Sequence, residues 1–193
     1  GTTEVTAVRR RRGVDAPLAG ELGEAAHGRI AAVAAVSPVI ELSAAVRALE
    51  RRSNRLYEWH FVRHLRRRLR RKHRLQPGVY PAHRLGEVRS VRAFDEIFTA
   101  PAFGFRDAED YYHRASALGV ADRIAIPALV VTAEDDPFVP VEPFRDPRLA
   151  ANPHVTLVVT RHGGHCGFLA AEAPGDDGYW AERRVVEFVR AHV

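Results

Sequence analysis

The sequence predicts an α/β fold, with a mostly parallel sheet and a helical insertion. Three observations carry that expectation. Residues 30–36, 128–133 and 155–160 form short, continuously apolar or β-branched runs bounded by turn residues, the pattern of parallel strands buried on both faces. Helical periodicity fills the stretch between the first two runs and returns at the C-terminus. About ninety residues separate the first two runs, far more than the dozen or so of a simple crossover.

Residues 1–17 hold a polar, β-prone piece, then Arg9-Arg10-Arg11-Arg12-Gly13 and Pro17, with no helical or strand period. This segment is expected to stand apart from the fold. Leu18, Leu22, Ala25 and Ala26 fall at helical spacing with Gly28 as a stop. After the first strand, Ser37-Pro38 closes the run. Ser53 then stands where an N-cap would begin a long helix in which Tyr57, Phe61, Leu65 and Leu69 recur every fourth residue among arginines. Pro77-Gly78 is expected to end it. Asp107-Ala108-Glu109-Asp110 opens a further helix, its acids suited to the positive end of the dipole. Between Trp180 and His192 the residues Trp180, Val185, Val186, Phe188 and Val189 lie near one helical face. The order strand, helices, strand, strand, helix is α/β layering, with a helical cap over about 49–112.

Composition narrows the function classes. The chain has 193 residues and 46% hydrophobic content, enough for one domain with a sizeable core. No stretch approaches a membrane span and the N-terminus has no signal architecture, so a soluble, cytoplasmic protein is expected. Cys166 is the only cysteine, which excludes an internal disulfide and a thiolate-rich zinc site. The net charge of +5 rests on arginine, because Lys72 is the only lysine. The absence of methionine is expected of a processed chain or a fragment.

Chemistry-bearing residues gather after the second and third strands. Glu134-Asp135-Asp136-Pro137-Phe138-Val139-Pro140 follows the second, and Arg161-His162-Gly163-Gly164-His165-Cys166-Gly167-Phe168 follows the third. Open α/β sheets bind ligands at the carboxyl ends of their strands. An acid and a base on neighbouring strand ends suit a hydrolase in which a carboxylate orients an imidazole and the other ring nitrogen takes a nucleophile's proton. The paired glycines allow the tight turn that would lift His165 into a cleft.

Several stretches together resemble the YheT-like hydrolases and the related abhydrolase-domain lipases, a family of α/β-hydrolases. They are 19–24 (Ala-Gly-Glu-Leu-Gly-Glu), Val36-Ser37-Pro38, Ser53-Asn54-Arg55-Leu56-Tyr57, 94–101, 104–112, Asp135-Asp136-Pro137-Phe138-Val139-Pro140 and His162-Gly163-Gly164-His165. The resemblance runs from about Leu18 to the C-terminus. It implies a truncated α/β-hydrolase fold over 18–193, Asp136 and His165 as catalytic residues with Asp135 as the alternative acid, and a carboxylic ester, small-molecule or lipid, as substrate. By the same resemblance the residues from about Leu49 to Tyr112 form the cap.

The nucleophile is the missing part. Ser37, Ser43, Ser53, Ser90 and Ser116 all lack the G-x-S-x-G context of a nucleophile elbow, and Pro38 has no N–H to donate to an oxyanion beside Ser37. In the resembled family the serine lies roughly ten residues before the position of Gly20, where this chain has Arg9 to Arg12. The expectation is therefore an acid and base without their serine: an esterase-like enzyme, or a catalytically inactive remnant that acts as a binding module through its basic helix.

No cofactor and no metal are expected. His162 reads as a support beside the turn, Cys166 as packing, and the arginines Arg63, Arg66, Arg67, Arg68, Arg70 and Arg71 as a solvated face or a contact for an anionic surface. No specific nucleic acid is expected, since no recognised module accompanies them. A shortened sheet leaves edges that a second copy of the chain would cover.

Overall fold

The computed structural model of the chain describes residues 20–28, 30–171 and 177–192. The stretch 1–17 lies outside them. The chain divides into two compact units, one made of 1–41 and 116–193 and the other of 42–115.

The first unit is built on a parallel three-stranded sheet in the order β1-β2-β3, with β1 at Val33–Val36, β2 at Ala128–Ala133 and β3 at Val155–Thr160. Val33 pairs with Ala128, and Ala128 with Val155, so all three strands run in step. Side chains alternate across the sheet. Leu129, Val131 and Ala133 share one cluster with Phe168, Ala181 and Val185, while Val130 belongs to the opposite cluster with Ile40, Leu118, Val139, Phe144 and Leu149. The helix Trp180–Arg190 supplies Ala181 and Val185, and the three-ten turn Glu142–Arg145 supplies Phe144.

Two expectations about the sheet need correction. The first strand is shorter than the apolar run 30–36, which pairs only from Val33. Only β2 is buried along its whole length; β1 is half-buried and β3 alternates between half-buried and exposed residues. Full burial requires a strand on each side as well as a layer on each face, and among the described residues only β2 has both.

The second unit is helical. Within it α1 spans Leu42–Leu49, α2 Arg55–Leu75, α3 Val91–Phe94, a π-helical turn Asp95–Thr99, α4 Ala100–Ala102 and α5 Ala108–Ala115. Asn54, rather than Ser53, is the N-cap residue of α2; Ser53 lies in the preceding three-ten turn Arg52–Asn54. The Asn54 amide donates to the carbonyl of Ala48, tying the start of α2 to the end of α1. The acidic opening of α5 is as expected, with Asp107 Oδ1 accepting from the Asp110 N–H at 2.7 Å and Glu96 accepting from that of Ala108.

The stripe Tyr57, Phe61, Leu65, Leu69 is not the buried face of α2. Val62 and Leu69 are buried and join Leu85, Val88, Ile97 and Phe98 in one core, whereas Tyr57 and Phe61 are about half exposed. A strict four-residue repeat drifts by about 40° at each step around a helix of 3.6 residues per turn. Mixed three- and four-residue steps keep to one face, and the half-buried or buried positions Glu58, Val62, Leu65, Leu69 and His73 follow such steps.

A polar cluster organises the rest of this unit. Tyr112, one of the most deeply buried large side chains, donates its hydroxyl to Asp95 Oδ2 at 2.8 Å, and Thr99 donates to Oδ1 at 2.7 Å. Burial pushes the Asp95 carboxyl up from the ordinary value of 3.8, against the lowering effect of those two bonds and of Arg92. A carboxyl raised in this way holds its proton more tightly folded than unfolded. Its contribution to stability is therefore fully present at low pH and is lost as pH rises from 3.8 through the folded value. Asp95→Asn should remove that loss, so thermal melts should show the variant gaining on the wild type as pH rises. Parallel curves would contradict this.

Candidate active site

The site lies where β2 and β3 end, and local chemistry fixes each side chain. Beyond Ala133 the chain turns through Glu134, Asp135 and Asp136. Aspartate suits such a turn because its side chain can accept from backbone N–H groups two and three residues ahead. Asp136 Oδ1 does so from Phe138 at 2.8 Å and Val139 at 3.0 Å; Pro137, directly after Asp136, has no N–H to offer. This leaves Oδ2 for a partner, and it meets His165 Nδ1 at 2.9 Å. The Asp136 side chain is fully buried and that of His165 is 38% exposed. A carboxylate can only accept, so with Asp136 as a carboxylate and His165 as a neutral imidazole this bond requires the proton on Nδ1 and leaves Nε2 as the acceptor. The Phe138 ring stands edge-on to the imidazole, with centroids 5.3 Å apart.

The turn bearing His165 is closed by N–H groups of Gly167 and Phe168, both donating to the carbonyl of Gly163 at 3.0 and 3.1 Å. Phe168 drops into the core beneath and stacks with Trp180 at 6.2 Å between centroids. Gly163 makes room for that ring: a Cβ there would stand 2.6 Å from two Phe168 ring carbons and 3.1 Å from the Ala133 methyl. Gly163→Ala is expected to cost about 1–3 kcal/mol of stability by overpacking, measured by urea unfolding, and to displace His165 through Phe168. An unchanged unfolding midpoint would contradict it. Gly164 follows with φ +53, a left-handed backbone that favours glycine.

Asp135 faces the same turn differently. Its Oδ1 accepts from the N–H groups of Gly163 at 3.0 Å and Gly164 at 2.8 Å, and Oδ2 lies 3.4 Å from His162 Nδ1. These bonds, the Gly164 N–H foremost, hold its carboxyl below the usual aspartate value. The two neighbouring aspartates thus divide the work, Asp135 holding the backbone of the turn and Asp136 the imidazole. His162 is almost fully exposed.

Ser37 and Cys166 meet at this site although the chain separates them widely. Ser37 is buried, and its Oγ accepts from the Cys166 N–H at 3.3 Å. Cys166 Sγ lies 3.8 Å from the Val36 carbonyl, directed toward the end of β1. Ser37, Cys166 and Phe168 all have positive φ, at 46, 66 and 45. Left-handed backbone at residues with side chains costs about 1–2 kcal/mol each, and such strain gathers at functional sites. The sequence does not show the contact of Ser37 with Cys166 or Phe168 as the pin beneath the turn; the place of Ser37 directly after a strand is the one clue to it. Among the described residues, no group of three or more His, Cys, Asp or Glu side chains is placed to hold a metal ion. Among those residues, no helix is long and apolar enough to cross a membrane.

No family model matches the chain. Curated proteins do match it. YheT of Escherichia coli is 32% identical over 160 residues, 82% of this chain and 46% of YheT. The medium-chain fatty acid ethyl ester synthase/esterase 2 of Saccharomyces cerevisiae is 39% identical over 101 residues, 52% of this chain and 21% of that protein. The phospholipase ABHD3 of Mus musculus is 39% identical over 107 residues, 55% of this chain and 26% of that protein. The chain spans less than half the length of each of these relatives. Over the part it shares with them, and with a parallel sheet and helices that form part of an α/β-hydrolase fold, the chain belongs to the YheT-like/abhydrolase family.

Proposed function

We propose that the chain carries the acid and base of a carboxylic-ester hydrolase, with Asp136 orienting His165. The observation behind this is the 2.9 Å bond between His165 Nδ1 and an Asp136 carboxylate that is fully buried and held by two backbone N–H groups. In this reading Asp136 fixes the tautomer with the proton on Nδ1. His165 Nε2 removes the proton of an attacking hydroxyl as it adds to the ester carbonyl, and the resulting imidazolium is stabilised by Asp136. Collapse of the tetrahedral intermediate breaks the bond to the leaving alkoxide, which takes the proton back from Nε2. Ester-cleaving relatives support ester as the substrate class, and the helical cap of this reading, about 49–112, falls within the unit 42–115. The experiment is turnover of a p-nitrophenyl ester by wild type, His165→Ala and Asp136→Asn.

One observation favours a second reading, a binding module without turnover: no serine of the chain stands in G-x-S-x-G, and the buried Ser37 hydroxyl is engaged by Cys166. Equal background rates in all three proteins would select it.

A further inference from the structure

The helical unit contains a basic concavity that ester hydrolysis does not use. Arg66, Arg70, His73 and Arg74 of α2 line an open pocket of about 510 Å³ with Ala82, Leu85 and Gly86. Leu85, in the three-ten turn Ala82–Gly86, shares a core with Val62 and Leu69 of α2. Both walls are therefore anchored to the interior of the same unit.

The charges there are uncompensated. Arg66, Arg70 and Arg74 follow at four-residue spacing, which places like charges side by side along the helix. Some arginines of the unit meet carboxylates, Arg84 with Glu87 at 2.7 Å and Arg92 with both Glu50 and Glu109, whereas on α2, among the described residues, Arg63, Arg67, Arg68 and Arg71 do not. Among the described residues, Arg66, Arg70 and Arg74 have no such partner. Arg66 Nε and His73 Nδ1 are moreover buried without any hydrogen-bond partner, although buried polar atoms are ordinarily paired.

Guanidinium groups only donate, and their planar forks match the oxygens of phosphate or carboxylate. Three of them around one concavity suit a dianion with several acceptor oxygens better than a monocarboxylate. The carbonyl dipoles of α2 point unfavourably toward an anion near the helix C-terminus, so the side chains must supply the attraction. We propose that this pocket binds a phosphate monoester, the phosphate among Arg66, Arg70 and Arg74 and the remainder of the ligand toward Leu85 and Ala82. The proposal stands independently of the hydrolase reading.

Phosphate monoesters occur free in solution and as lipid headgroups, and two arms of one experiment separate these sources. In the first, inorganic phosphate is titrated calorimetrically into the full chain at low ionic strength. In the second, the chain is sedimented with phosphatidylcholine vesicles with and without phosphatidic acid. Each arm compares wild type with Arg70→Gln/Arg74→Gln and with Arg67→Gln/Arg71→Gln, which removes equal charge from helix positions that do not line the pocket. All four residues are exposed, and circular dichroism checks that both variants fold. The expected result is saturable binding in at least one arm, weakened about tenfold or more by the first pair and less than about twofold by the second. Equal weakening by both pairs, or no saturable binding in either arm, overturns the proposal. Binding only to an RNA oligonucleotide also overturns it, because the arginines would then act as a diffuse charged face.

Discussion

Asp136→Asn and His165→Ala are each expected to lower p-nitrophenyl ester turnover by about 10² to 10⁴-fold, the range of a positioned general base. That corresponds to roughly 3–5 kcal/mol of barrier. The two variants fail for different reasons. Alanine removes the base outright. Asparagine keeps the shape of Asp136, but its amide can donate to His165 Nδ1, which favours the tautomer with its proton on Nε2 and leaves nothing to accept from the nucleophile. Asparagine also withdraws the negative charge that would stabilise the imidazolium. The double variant should be no slower than either single one, because the two residues act as a unit. Additive losses, or rates equal to wild type, would count against the pairing as the source of catalysis.

The largest stability effect is expected at Phe144. Its side chain is fully buried in the cluster formed by Ile40, Leu118, Val130, Val139 and Leu149, and it comes from a three-ten turn of only four residues, Glu142–Arg145. So short a turn has little stability of its own, and the ring anchors it to the sheet. Phe144→Ala should cost about 3–5 kcal/mol, from lost transfer energy and the cavity left behind. Against a usual total of about 5–15 kcal/mol this is a large fraction, equivalent to roughly 6–20 °C in melting temperature. Differential scanning calorimetry reads it directly, and a shift below about 2 °C would contradict the burial argument.

Much of the α/β frame is legible in the sequence, because apolar run length and the position of turn residues both survive into the fold. Ala128–Ala133 and Val155–Thr160 are strands over the same residues as their runs, and the closing helix begins at Trp180 as its periodicity requires. Burial is less legible. The run ending at Val36 looks as apolar as β2, yet the number of neighbouring strands decides how deeply each lies. On α2 the visible repeat of Tyr57 and Phe61 differs from the face that packs, since a four-residue period does not stay on one side of a helix.

At the candidate site the approach of Asp136 to His165 follows from successive parallel strands ending at one edge, which is a property of topology. The different tasks of Asp135 and Asp136 are not in the sequence, because adjacent carboxylates differ only in where the turn aims them. The contact between Ser37 and Cys166 and the fit of Phe168 over Gly163 are likewise products of packing between distant segments.

In the proposed hydrolase site Asp136 holds His165 with its proton on Nδ1 and its base on Nε2. A long-range proton–nitrogen NMR spectrum of the histidine side chains, recorded at a pH where the rings are neutral, tests it without requiring turnover. The His165 signals, assigned through His165→Ala, are expected to show a protonated Nδ1 and an unprotonated Nε2 in the wild type, and Asp136→Asn is expected to shift this balance toward Nε2–H. A wild-type His165 already in the Nε2–H form, or a tautomer unchanged by Asp136→Asn, would contradict it.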